Sequence, residues 1–160
     1  MTLSAKVLTV SDGVAGGTRD DASGRALVER LTAEGYDVID HRVSADGTDA
    51  VAAALTDLAA GFAGLIVTTG GTGFGPRDLT PEGTRAVIER EAPGIVEAIR
   101  RASDAGGRGF GMLSRAVAGT RGRCLICNLP GSSSGALEGL DILLPIAPHA
   151  LDLLAGGHPH

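Results

Sequence analysis

The sequence predicts an α/β fold of three layers, a mostly parallel sheet with helices on both faces. Strand-forming and helix-forming segments alternate along the chain, and the polar stretches rich in glycine, hydroxyl and carboxylate each follow a predicted strand. At 160 residues the chain is the size of one domain with a proper core, and residues 1–160 read as a single unit with 156–160 as a frayed tail.

The elements follow in order. Lys6-Val7-Leu8-Thr9-Val10 is a short strand that Ser11-Asp12-Gly13 ends. After a polar turn, Asp21 or Ser23 can cap a helix whose apolar stripe is Leu27, Val28 and Leu31, with Gly35 as its stop. Residues 36–43 alternate into a second strand, with His41 as a surface or edge residue. Val51, Leu55 and Leu58 then stand at helical spacing. Leu65-Ile66-Val67-Thr68-Thr69 is a third strand. It breaks into Gly70-Gly71-Thr72-Gly73, followed by Pro76-Arg77-Asp78. Thr80 reads as an N-cap, with Pro81 in the first turn and Glu82 where the helix dipole favours negative charge, for a helix reaching Glu89.

Pro93 opens another helix with Ile95, Ile99 and Ala102 on one face, and residues 103–111 form a loose, glycine-heavy connection. Residues 112–119 read as a short turn and strand, and residues 123–128 as a strand. The closing helix carries Leu137, Leu140, Leu144, Leu151 and Leu154, and Pro145 and Pro148 demand a kink or restart.

Composition narrows the function classes. A net charge of −5 without a basic cluster argues against nucleic acid or an anionic membrane surface as partner. One Tyr, three Phe and no Trp leave few platforms for stacking bases. No apolar run is long enough to span a bilayer and the N-terminus lacks a signal-peptide layout, so a cytoplasmic protein is expected. Cys124 and Cys127 form a C-x-x-C, but three residues of strand would set them roughly 10 Å apart on opposite faces. That is beyond disulfide reach, so buried structural thiols are expected.

The chemistry gathers in the loops. Three glycines in four residues let the N–H groups of the Gly70 loop approach an anion, and Arg77 and Asp78 add a phosphate partner and a magnesium ligand. Pro76 breaks the dinucleotide fingerprint and no GxxxxGK[ST] is present. Ser11-Asp12 lies at another strand end. Ser44-Ala45-Asp46-Gly47-Thr48-Asp49 precedes a helix, where either carboxylate could be a cap or a site residue. Asn128-Leu129-Pro130-Gly131-Ser132 turns into a helix start with free N–H donors, and Ser114 beside Arg115 suits a phosphate. No His accompanies a nucleophilic Ser or Cys in a recognisable motif, so acyl transfer has no visible base.

The stretch TTGGTGFGPRDLTPEGT resembles the signature loop of the molybdenum-cofactor biosynthesis family, the molybdopterin adenylyltransferases. The resemblance runs from Val7 to about Leu154 and takes in Ser11-Asp12, Asp21-Ala22-Ser23-Gly24, the Leu113-Ser114-Arg115 segment and Asn128-Leu129-Pro130-Gly131. It implies a transfer of AMP from magnesium-ATP to the terminal phosphate of molybdopterin. Asp46, with Asp49 as competitor, and Asp78 would be catalytic and metal-directing. Gly70, Gly71, Thr72 and Gly73 would form the amide cradle, and Arg77 and Ser114 would contact phosphate. Asn128, Pro130, Gly131 and Ser132 would form a second phosphate wall, with Ser11 and Asp12 helping to hold the nucleotide or pterin. A homotrimer is implied, with a molybdate-inserting enzyme as a downstream partner. The same resemblance extends to molybdopterin-binding paralogues and scaffolds without the activity. A hydrolase of nucleotide diphosphates would share the loop.

Overall fold

The computed structural model describes residues 1–103 and 107–158. Among them, six strands form one sheet: β1 (Ser4–Val10), β2 (Asp37–Ser44), β3 (Ala63–Thr69), β4 (Arg90–Glu91), β5 (Ala118–Arg121) and β6 (Arg123–Leu129). Their order is β2-β1-β3-β6-β5-β4. β1 pairs in parallel with β2 and β3, and β3 with β6. The four therefore end on one rim, and their connections must cross the faces as helices.

The helices are α1 (Asp12–Ala15), α2 (Ala22–Ala33), α3 (Thr48–Ala59), α4 (Thr80–Arg85), α5 (Pro93–Ser103), α6 (Ser133–Leu143) and α7 (Ala147–Leu154). They divide between two cores. On one face Leu27 and Leu31 of α2, Val96 and Ile99 of α5, Leu140 and Leu143 of α6 and Leu151 of α7 pack on Val7, Leu65, Val67, Leu125 and Cys127. On the other, Val51, Leu55 and Leu58 of α3 pack on Leu8, Val10, Ile66, Cys124 and Ile126. Each fully buried Leu contributes roughly 1.5–3 kcal/mol by leaving water, which ties the helices to the sheet and holds the rim in place. The α/β reading and its mostly parallel sheet are what the structure has.

Three details differ from the sequence expectation. β5 and β6 pair antiparallel, because Gly122 alone separates them and turns the chain at φ 54°. The helix from Thr80 ends at Arg85 rather than Glu89, since the Glu89 N–H donates to Thr120 O at 2.8 Å and leads into β4. Thr80 is not the N-cap. Leu79 holds that position without a side-chain bond, while the buried Thr80 hydroxyl donates to Gly70 O at 2.9 Å. The closing segment restarts, as Pro145 and Pro148 led one to expect: α6 stops at Leu143 and α7 begins at Ala147, with Pro148 in its first turn.

Cys124 and Cys127 are free and buried, one in each core, as strand alternation requires. The expected connection over 103–111 includes residues 104–106, and the tail includes 159–160; these positions lie outside the described residues.

Candidate active site

Because β1, β3 and β6 run parallel, Val10, Thr69 and Leu129 deliver their loops side by side. A cavity of about 270 Å³ opens there. Its walls are Thr9, Val10 and Ser11 from β1, Asp21 and Ser23 from the start of α2, Asp46 before α3, Gly70, Gly71 and Asp78, and Gly131 and Ser132 before α6. This is the crevice beyond the strand ends where ligands of open α/β sheets lie.

Glycine is needed at the centre of the wall. Gly70 and Gly71 have φ of 101° and 69°. A β-carbon on Gly70 would run into the carbonyl oxygen of Val10, and one on Gly71 into Thr80 Oγ1, 3.2 Å from Asp46 Oδ1. Asp46 thus lies directly over the glycine turn. Thr80 fastens the turn from behind, its hydroxyl on Gly70 O and its N–H on Gly71 O at 3.1 Å.

Asp46 is held by a reciprocal pair. Its N–H donates to Asp12 Oδ1 at 3.0 Å, and the Asp12 N–H donates to Asp46 Oδ2 at 2.8 Å. Arg77 completes the strut, donating from Nε and Nη2 to Asp12 at 3.0 and 3.1 Å and from Nη2 to Asp46 O at 2.9 Å. The Arg77 bonds, then the Asp46 N–H, hold the Asp12 carboxyl below its ordinary range, and Asp12 in turn raises Arg77. The Arg77 guanidinium is therefore engaged by protein. Asp49 is exposed in the first turn of α3, off the cavity wall, and Gly47 caps that helix without a side-chain bond.

Asp78 is fixed on its own loop. Its Oδ2 accepts from Gly75 N at 2.9 Å, and Arg115 secures its carbonyl at 2.5 Å. Arg115 also donates to Gly73 O at 2.9 Å and to Glu82 at 2.7 and 3.0 Å. The remaining expected residues divide. Thr72, Gly73, Ser114 and Pro130 line an adjoining hollow of about 350 Å³ that shares Ser132 with the first. Asn128 faces neither hollow. It is fully buried, its Nδ2 donates to Thr68 and Thr84 hydroxyls at 3.0 and 2.9 Å, and its Oδ1 accepts from Val117 N at 3.0 Å. The side chain proposed for a phosphate wall is thus spent on holding β6 to its neighbours.

This geometry is accompanied by a family match. The family described as "Probable molybdopterin binding domain" matches residues 6–149. The chain belongs to that family. A molybdopterin adenylyltransferase from Helicobacter pylori (strain J99) is 34% identical over 160 residues, covering 98% of this chain and 90% of that protein. A molybdenum cofactor biosynthesis bifunctional protein from Chlorobaculum tepidum is 37% identical over 153 residues; they make up 95% of this chain and 49% of that protein, so the chain spans about half of it. Among solved structures, the molybdopterin biosynthesis Mog protein from Mycobacterium ulcerans aligns with a TM-score of 0.89 and 40% identity, covering 98% of this chain and 99% of that one.

In this molybdopterin-binding-domain chain, sequence reasoning missed two features of the site. Arg115 clamps the Asp78 loop across 33 residues to Glu82, a pairing that no local motif signals. His41 is more than an edge residue: on the sheet-edge strand β2 it sits 2.9 Å from Asp21 Oδ2, and Asp21 also accepts from the Thr9 hydroxyl and the Gly24 N–H. The carboxylates fit magnesium. Asp46 and Asp78 each use Oδ2 on a backbone N–H, and among the described residues neither Oδ1 has a hydrogen bond. No cluster of three or more metal-binding side chains occurs among the described residues. Magnesium commonly takes one or two carboxylates and completes its shell with substrate phosphates and water.

Proposed function

We propose that the chain is a molybdopterin adenylyltransferase, transferring AMP from magnesium-ATP to the terminal phosphate of molybdopterin. The observation that carries this reading is that Asp46 and Asp78 line one cavity with the Gly70-Gly71 turn and the Ser132 start of α6. Carboxylates beside an amide cradle suit a phosphate only when a cation accompanies it. The name of the Helicobacter pylori relative supports the same activity.

In this mechanism an oxygen of the molybdopterin phosphate attacks the α-phosphorus of ATP, and the bond from that phosphorus to the bridging oxygen breaks. The electron pair leaves with pyrophosphate. The acceptor's second pKa near ~6 leaves it largely ionised at neutral pH, so no protein base is required. The protein positions the two groups and answers their charge. Asp46 and Asp78 would hold magnesium, which when bound neutralises phosphate charge. The Gly70 N–H is taken by Leu129 O at 3.3 Å, so the amides of Gly71 and the α6 start, with Ser11 and Ser132, would bind the nucleotide phosphates in the first hollow. Thr72, Gly73, Ser114 and Pro130 would line the pterin side in the second, the two substrates meeting at Ser132. Asp12 and Arg77 would act as the strut that aims Asp46. The same reading takes the protein as a cytoplasmic homotrimer that passes its product to a molybdate-inserting enzyme.

The second reading is a molybdopterin-binding scaffold without the activity. It is favoured by the occupation of Arg77 by Asp12, which removes one cation from phosphate binding. Purified protein incubated with molybdopterin, magnesium and ATP separates the two. Pyrophosphate release above a no-pterin control supports the transferase, and binding without release supports the scaffold. Asp78→Asn is expected to abolish release while molybdopterin still binds; near-normal turnover would remove Asp78 from the mechanism.

A further inference from the structure

The charges around the first cavity do not balance. Among the described residues its lining holds the carboxylates Asp20, Asp21, Asp46 and Asp78 and a single cationic side chain, Arg19. Polyphosphate binding needs positive charge, and the nearby arginines are already committed: Arg77 to Asp12, Arg115 to Glu82 and Arg25 to Asp20. Arg19 is different. Its guanidinium forms no ion pair or side-chain hydrogen bond with any described residue.

Two local facts explain why it is free and where it lies. The adjacent acids are engaged elsewhere, Asp20 by both Nη atoms of Arg25 and Asp21 by Thr9, Gly24 and His41. Its stem lies over Gly13, where a β-carbon would come within 3.1 Å of Arg19 Cβ, and its N–H donates to Gly13 O at 3.1 Å. A side chain at position 13 would lift this stem off α1.

We infer that Arg19 binds the diphosphate end of the nucleotide, the part that departs as pyrophosphate. The inference rests on the adenylyl-transfer reading. As the bond between the α-phosphorus and the bridging oxygen breaks, negative charge accumulates on that oxygen and the departing diphosphate, and a forked guanidinium answers it through paired N–H bonds. The carboxylates of the site then serve the cation that accompanies the α-phosphate, and Arg19 serves the leaving group.

The test uses the full chain with magnesium-ATP and magnesium-pyrophosphate as probes in calorimetric binding, and molybdopterin as a separate titrant. Arg19→Gln is expected to weaken both nucleotide and pyrophosphate binding about tenfold or more, with molybdopterin affinity unchanged, and Arg19→Lys is expected to restore part of the loss. Arg30→Gln removes the same charge on α2, where Arg30 pairs with Glu34 and Asp141, and is expected to bind both probes as wild type does. Equal binding by Arg19→Gln and wild type would overturn the inference while leaving adenylyl transfer intact. Loss of molybdopterin instead of pyrophosphate affinity would also overturn it, assigning Arg19 to the other substrate. A wild-type protein that binds neither phosphate probe would overturn the transferase reading and this inference with it.

Discussion

Asp12 and Asp46 hold each other by exchange, each N–H donating to the other's carboxylate at 3.0 and 2.8 Å, across 34 residues of chain. The exchange uses one oxygen of Asp46 and leaves Oδ1 over the Gly71 turn. Its Asp46 N–H half is strongest while Asp12 is ionised. Asp12 lies below its ordinary value of 3.8 because of Arg77 and the Asp46 N–H. A carboxyl with a depressed folded-state pKa contributes its full stabilisation above the unfolded value and loses it as pH falls through the folded one. Hydrogen exchange at the Asp46 amide is therefore expected to stay protected at mildly acidic pH and to lose protection below 3.8. Asp12→Asn should show faster exchange at neutral pH and little further change on acidification. High salt should weaken the Arg77 contribution, because this pair is exposed.

Asn128 supports the site from beneath. Replacing it by Ala would strand the Thr68 hydroxyl and the Val117 N–H in the interior and leave the Thr84 hydroxyl with only its own donation to Thr80 O. Unsatisfied buried groups cost about 1–3 kcal/mol each, less whatever the hydroxyls recover by rotating, so a loss of roughly 3 kcal/mol is expected in denaturant unfolding. Activity should fall with the folded fraction, and KM for both substrates should stay near wild type in the protein that remains folded.

The parts legible in sequence are those whose signal is local. β1, β3 and β6 are apolar runs ending in Ser-Asp, Gly-Gly and Pro-Gly, and α2, α3 and α6 carry Leu at helical spacing, so the rim and its loops follow from period and turn chemistry. The Gly70-Gly71 turn is legible because only glycine serves there. β4 is two exposed residues, Arg90 and Glu91, with no apolar pattern to announce it, and α1 is a single turn capped by Ser11. Arg77 illustrates the harder limit: its type and place suggest a phosphate, yet its partner Asp12 lies 65 residues away and only folding brings them together. The same holds for Arg115 and Asn128, whose roles are set by distant partners.

The C-x-x-C pair makes a prediction about alkaline stability. Burial pushes the Cys127 thiol up to about 12 from an ordinary 9.0, and burial raises Cys124 as well. Above pH 9 the unfolded thiol ionises first, so the unfolded state is favoured and stability should fall as pH rises. Cys127→Ala is expected to show a shallower decline than wild type between pH 9 and 11 in denaturant titrations. In the native protein at pH 7 both thiols should resist a thiol-specific reagent, reacting fully only after unfolding.

Gly71 sets the distance between the loop amides and Asp46. Alanine at φ 69° would cost about 1–2 kcal/mol for the left-handed backbone alone, and its β-carbon would press on Thr80 Oγ1. Thr80 is fully buried and holds Gly70 O, so it has little room to yield. A destabilisation of at least roughly 2 kcal/mol is expected by thermal melting, together with a fall in kcat greater than the lost folded fraction explains.

Asp46 and Asp49 stand three residues apart, and their surroundings separate them. Asp46 faces the cavity with one oxygen aimed by Asp12 and the other free of protein bonds among the described residues. Asp49 is exposed in the first turn of α3, where a carboxylate gains only the modest attraction of the helix start, about 0.3–1 kcal/mol. Asp46→Asn keeps the shape and removes the charge. It is expected to lower pyrophosphate release by about a hundredfold or more and to flatten the dependence on magnesium concentration, with the melting temperature little changed. Asp49→Asn is expected to release pyrophosphate at the wild-type rate with a slightly lower melting temperature. The reverse pattern would move the catalytic carboxylate onto α3, and the Asp12 exchange would then serve only to hold the loop.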